Sequence, residues 1–160
     1  MSERERIGLT GHQGLTDNTE TLVREAMHEL LGSSVCPTGV TSLAEGADQI
    51  FAEVILEKGG HLEVVVPADD YEMTFDLRSL TNYRLLISSA SLVVELGHKV
   101  SNERAYWDAG KWIVNHTDRL IAVWNGEAAR GLGGTADVVN YARERGKTVE
   151  VVWPAGAQRE

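Results

Sequence analysis

The chain reads as a single Rossmann-like α/β domain over residues 1–160, with a doubly wound, mostly parallel sheet of about six strands and helices on both faces. Three observations predict this. Short apolar runs alternate with longer amphipathic stretches along the whole sequence. Several of those runs are continuous Val/Ile/Leu segments, as in strands covered on two faces. Glycine-rich turns fall mostly after strands, at the edge where open α/β sheets bind ligands.

Taken in order, Ile7–Thr10 is the first expected strand, closed by Gly11-His12-Gln13-Gly14. Asp17, Asn18 and Thr19 offer N-caps for a helix to about Leu31, whose apolar positions Leu22, Val23, Ala26, Met27 and Leu30 follow helical spacing. Val40–Leu43 is the second strand, and a helix from about Ala47 to Lys58 ends at Gly59-Gly60. His61–Pro67 is a valine-rich third strand, followed by the Asp69-Asp70-Tyr71 loop and a helix from Asp76 to about Ser89. Ser91–Leu96 is the fourth strand, and Ser101 is placed to cap a helix reaching His116. Arg119–Trp124, a helix over Gly134–Arg145 and a strand over Thr148–Trp153 complete the pattern, with a short polar tail from Pro154. Such alternation implies right-handed parallel crossovers.

Composition narrows the function. A chain of 160 residues with 42% hydrophobic and 24% charged residues suits one soluble globular domain. Its formal net charge of −9 repels phosphate backbones, so no nucleic-acid partner is expected. Cys36 is the one cysteine, and the histidines at 12, 28, 61, 98 and 116 show no i, i+4 pair, so no metal site is expected. No signal-like or membrane-spanning apolar stretch occurs, which gives the expectation of no membrane partner and a cytoplasmic location.

The strongest chemical signal is Arg130-Gly131-Leu132-Gly133-Gly134-Thr135-Ala136-Asp137, between the fifth strand and the last helix. Gly131, Gly133 and Gly134 free the backbone to approach a ligand, Thr135 adds a hydroxyl, and the helix start supplies N–H groups and the positive dipole end. These make a phosphate cradle; the alternative is a flexible connection with a capped helix. No Lys-Ser/Thr ending follows, so it is not a Walker A loop.

Gly11, His12 and Gln13 follow the first strand at the expected sheet centre. His12 either contacts the ligand or bonds within its own turn. In Ser42-Leu43-Ala44-Glu45-Gly46-Ala47-Asp48, Ser42, Glu45 and Gly46 face the expected ligand edge, where a carboxylate can accept ribose hydroxyls. Asp48 fits a helix-dipole role. Pro67–Tyr71 and Gly97–Tyr106 end at the same edge as candidate walls, and Arg104 and Arg130 are either phosphate partners or solvated surface charges. Trp107 and Trp112 sit in a helical pattern and read as core or subunit-interface residues.

In this order the segments resemble the SLOG superfamily of Rossmann-like nucleotide-binding proteins. It includes the LOG phosphoribohydrolases, the molybdenum-cofactor carriers, the YpsA-like proteins and the core of DNA-processing protein A. Ser42–Asp48 resembles the family segment of small residues ending in Gly-Ala-Asp or Gly-Ile-Asp, and Gly133-Gly134-Thr135 its phosphate-binding element. The resemblance implies a phosphorylated ligand (a nucleotide, a nucleotide derivative or a molybdopterin-type molecule), no certain cofactor, and a homo-oligomer. It also implies the alternative of a nucleotide N-glycosidase, with Glu45 or Asp137 as candidate acids. The LOG enzymes place a glutamate where this chain has Val138, and Asp137 lies one residue early, about 100° around the helix. That departure weighs against turnover and leaves binding or sensing as the expected function.

Overall fold

A computed structural model of the chain describes residues 4–160. Six strands, β1 (Arg6–Gly11), β2 (Thr38–Thr41), β3 (His61–Ala68), β4 (Leu92–His98), β5 (Arg119–Val123) and β6 (Thr148–Val152), form one sheet in the order β4-β3-β2-β1-β5-β6. Every neighbouring pair is parallel. The helices are α1 (Asp17–Leu30), α2 (Ala47–Glu57), α3 (Leu77–Ile87), α4 (Glu103–Asn115) and α5 (Thr135–Glu144), with a 3-10 turn at Tyr71–Thr74.

The chain winds outward from β1 to β4, then returns to the far side of β1 to lay down β5 and β6. Right-handed crossovers therefore send α1, α2 and α3 to one face and α4 and α5 to the other. Ile7, Leu9, Ile121 and Val123 pack with Val23, Met27 and Phe51 beneath α1 and α2, while Val40, Val65 and Leu120 meet Ile113, Val114 and Val138 of α4 and α5. Each fully buried aliphatic side chain contributes about 2 kcal/mol of transfer free energy. A third group, Leu62, Val64, Tyr71, Tyr83 and Leu86, closes the side under α3. Trp107 and Trp112 pack half-buried against the α4–α5 core.

The differences from the expected elements are at their ends. Thr16 caps α1, its hydroxyl accepting from the Thr19 N–H at 3.2 Å, so the cap precedes all three expected candidates. Asn102 caps α4 by accepting from the Ala105 N–H at 2.9 Å. Ser101 is not the cap because its N–H and hydroxyl both donate to Asp70 Oδ1, each at 2.7 Å. The tail after β6 is docked: Leu15 and Arg159 form an antiparallel bridge, and the Gln158 N–H donates to Thr19 Oγ1 at 2.7 Å. Among the described residues no helix is long and apolar enough to cross a membrane.

Candidate functional site

Because β1 and β5 are neighbours whose chains continue to opposite faces, the loops after them separate and leave a crevice at the carboxyl edge. A cavity of about 390 Å³ occupies it, a volume within the range of small-molecule sites. Gly11, His12 and Gln13 line it from the β1 loop, and Ser42 from the β2 loop. Arg130, Gly131, Gly133, Gly134 and Thr135 line the opposite wall, and the candidate walls contribute Pro67, Tyr71 and Tyr106.

The wall ahead of α5 is built by its glycines. Gly133 has φ +84, and a Cβ there would lie 2.7 Å from the Trp107 backbone nitrogen, so only glycine lets the loop rest on α4. The Gly134 N–H donates to the Gly131 carbonyl at 3.3 Å, and the Gly133 N–H to Asp137 Oδ2 at 3.0 Å. Both amides are therefore used inside the loop. The first α5 bond runs from the Val138 N–H to the Gly134 carbonyl. The N–H groups of Thr135 and Ala136, two cavity-lining residues, consequently have no acceptor among the described residues.

His12 sharpens this end. It is 7% exposed, and its Nε2 accepts from the Asn125 backbone N–H at 3.0 Å. A backbone N–H can only donate, so Nε2 is bare and neutral His12 carries its proton on Nδ1. Nδ1 lies 3.4 Å from Thr135 Oγ1, which accepts a hydrogen bond from that N–H and keeps its own O–H to donate into the cavity. Burial, then the charges of Arg159 and Arg130, hold the imidazole pKa below its ordinary value, which favours this neutral form.

Sequence reasoning missed Arg159. It lines the cavity, its Nε is buried without a hydrogen-bond partner among the described residues, and burial followed by the Arg130 charge lowers its pKa. Neither Arg130 nor Arg159 forms a salt bridge among the described residues, although Glu103 and Glu127 also line the space. Only the tail's docking brings Arg159 here, and no local pattern signals that.

The β2 loop behaves differently. Gly46 has φ +89 and a Cβ there would sit 2.9 Å from the His12 carbonyl oxygen, so it serves close loop packing away from the cavity lining. Glu45 also lies off the lining; burial and then Asp76 and Glu160 raise its pKa. Asp48 does line the cavity. It accepts the Ala44 N–H at 3.1 Å, and burial pushes its pKa up to about 6 against hydrogen bonds from Ala44, Thr41 and Ser42. Its apolar setting beside Ala47, Ile50 and Phe51 was the available signal beyond a helix-dipole role. Buried Leu43, at φ +58, holds this turn in a strained conformation.

Arg104 points elsewhere, 3.8 Å from Asp108 Oδ1 and off the lining. Asp137 likewise faces its own loop. Neither candidate acid of the glycosidase alternative, Glu45 or Asp137, is on the cavity wall. No group of three or more His, Cys, Asp or Glu among the described residues could hold a metal ion.

No family model and no curated relative matches the chain. Solved structures do. DNA processing protein A from Streptococcus pneumoniae superposes with a TM-score of 0.69 at 16% identity, over 96% of this chain and 52% of that one. The Helicobacter pylori protein of the same name, described for its single-stranded DNA binding mode, gives 0.68 at 14% identity, over 97% of this chain and 68% of that one. The molybdenum cofactor carrier protein of Chlamydomonas reinhardtii gives 0.57 at 17% identity, over 93% and 76%. This chain thus spans about half of the Streptococcus protein.

The likeness is one of fold: the chain shares its parallel α/β architecture with DNA processing protein A and with the molybdenum cofactor carrier protein. It corrects one expectation. Nucleic acid is not excluded for this fold, since the Helicobacter protein that shares it binds single-stranded DNA. A net charge of −9 is a sum over the whole chain, and it conceals a cavity carrying two arginines that form no salt bridge among the described residues.

Proposed function

We propose that the switch-point cavity binds a phosphorylated, nucleotide-related small molecule. The observation that carries this reading is the start of α5, where the Thr135 and Ala136 N–H groups and the Thr135 hydroxyl converge without protein acceptors beside Arg130. A phosphate there takes charge-assisted hydrogen bonds and the positive end of the helix dipole. The rest of the ligand extends towards Ser42, Tyr71 and Tyr106, whose rings offer apolar faces with polar tips.

Calorimetric titration with nucleoside monophosphates, ADP-ribose species and molybdopterin tests the reading. A binder in that panel should lose about tenfold in affinity on Thr135→Val, the effect of about 1.4 kcal/mol for a hydrogen bond to a charged group. Silence across the panel would remove it. The second reading is single-stranded DNA, favoured by the fold shared with DNA processing protein A. An oligonucleotide that binds while every small molecule fails would put this second reading first.

A further inference from the structure

We infer that the segment following β6 is part of the ligand site, and that Arg159 reads a second anionic group, so that the cavity takes a diphosphate in preference to a monophosphate. The inference rests on the proposed phosphate site at α5. Four contacts seat the segment on the β1 loop and the start of α1. The Thr16 N–H donates to the Gln158 carbonyl at 3.4 Å, the Gln158 N–H to Thr19 Oγ1 at 2.7 Å, and the Glu160 N–H to the Gly14 carbonyl at 2.6 Å. The Trp153 ring stands edge-on to His12 with centroids 5.6 Å apart. This anchoring turns Arg159 into the cavity, where its Nε is shut from solvent and has no partner among the described residues.

A buried guanidinium N–H without an acceptor is costly, and placing it near another arginine adds repulsion. Burial first and then the Arg130 charge depress the Arg159 pKa, and Glu127 offsets the latter only in part. One phosphate at the α5 start, with a charge of about −1.5 to −2, can satisfy that helix end and Arg130. A second phosphoryl group offers Arg159 a pair of oxygens that its planar guanidinium fork can engage. A diphosphate therefore supplies acceptors both to the α5 start with Arg130 and to Arg159.

The test titrates inorganic phosphate and pyrophosphate, then AMP and ADP, against the wild type, Arg159→Gln and Arg159→Lys. We expect pyrophosphate to bind the wild type about tenfold more tightly than phosphate, the gain of one charge-assisted pair. Arg159→Gln should bring that ratio to about one while phosphate affinity stays within about twofold, and Arg159→Lys should restore part of it. ADP binding more tightly than pyrophosphate assigns the diphosphate to a nucleotide; equal binding assigns it to the free anion. Equal wild-type affinity for phosphate and pyrophosphate overturns the inference, as does a variant that weakens both alike. If the monophosphates bind and the preference is absent, only this inference falls; if none of the four binds, the α5 phosphate site falls with it.

Discussion

The two edges of the sheet treat charge in opposite ways. At the amino-terminal edge, arginines are neutralised in place. Arg6 donates to both oxygens of Glu63 at 2.8 and 2.7 Å and to the His116 carbonyl at 2.8 Å, and Arg119 bridges Glu5 and Glu150. At the carboxyl edge, Arg130 and Arg159 have no salt bridge among the described residues, Asp48 is buried with hydrogen bonds but no cation, and two α5 N–H groups lack acceptors. Paired charges hold strands in register. Unpaired charges beside a cavity lower stability and are useful only when a ligand supplies the missing partner.

Asp48 gives the largest effect by which to sharpen the contrast. Its folded pKa, about 6, lies above the ordinary value of 3.8. Between those values the folded state holds more protons than the unfolded one, so stability falls as pH rises through that window. The full loss, reached above about pH 6, is about 3 kcal/mol. Asp48→Asn cannot ionise and keeps an oxygen for the Ala44 N–H. Urea denaturation from pH 4 to 7 should show wild type losing about 2.5 kcal/mol relative to that variant. Subtracting the variant removes the contributions of Glu20 and Glu45, whose values are also raised, and of Asp76 and Asp108, whose values are lowered. A flat difference would mean that Asp48 is compensated as fully as the charges of the other edge.

The arginines test the contrast directly. Arg6→Ala removes three charge-assisted hydrogen bonds and leaves Glu63, only 13% exposed in its side chain, without its cation. Because the Arg6 side chain is itself 35% exposed, solvent screens part of this, and a loss of about 2 kcal/mol is expected in urea denaturation. Arg130→Ala should change ligand-free stability by no more than about 0.5 kcal/mol, since it breaks no ion pair. Equal losses at the two positions would erase the distinction between the edges.

How much of this was legible follows from the range of each interaction. Strand and helix identities rest on local periodicity, so the element order, the parallel sheet and the helices on both faces could be read directly. That the Gly131–Thr135 loop lines the carboxyl-edge cavity was legible for a related reason, since glycine density between a strand and a helix marks a loop at that edge. Which donors stay free was not, because that depends on the turn by which Asp137 takes the Gly133 N–H. The His12–Thr135 contact joins residues 123 apart, and the docking of Gln158 on Thr19 spans 139. No window of sequence contains either, so His12 stayed ambiguous and Arg159 was left in a tail. Arg104 stayed open for a rotational reason: it is at the correct end of α4 but turned to Asp108.

Asp137 carries a smaller effect than Asp48 or Arg6 and separates two roles that sequence left open. Its carboxylate holds the Gly133 N–H from within the first turn of α5, which resembles a helix cap in function. Asp137→Ala should therefore cost about 1 kcal/mol of stability, the usual worth of such a cap. The same change frees the Gly133 N–H and removes a negative charge close to the proposed phosphate, so the affinity for inorganic phosphate should rise while the ligand-free fold weakens. Asp137→Asn, which keeps an oxygen acceptor, should retain most of the stability. An acid acting on a substrate gives neither result: its removal would leave stability unchanged and abolish release of base from a nucleoside monophosphate. Opposite signs in stability and anion affinity would thus assign Asp137 to the loop that holds the ligand, and matching losses in both would return it to the ligand itself.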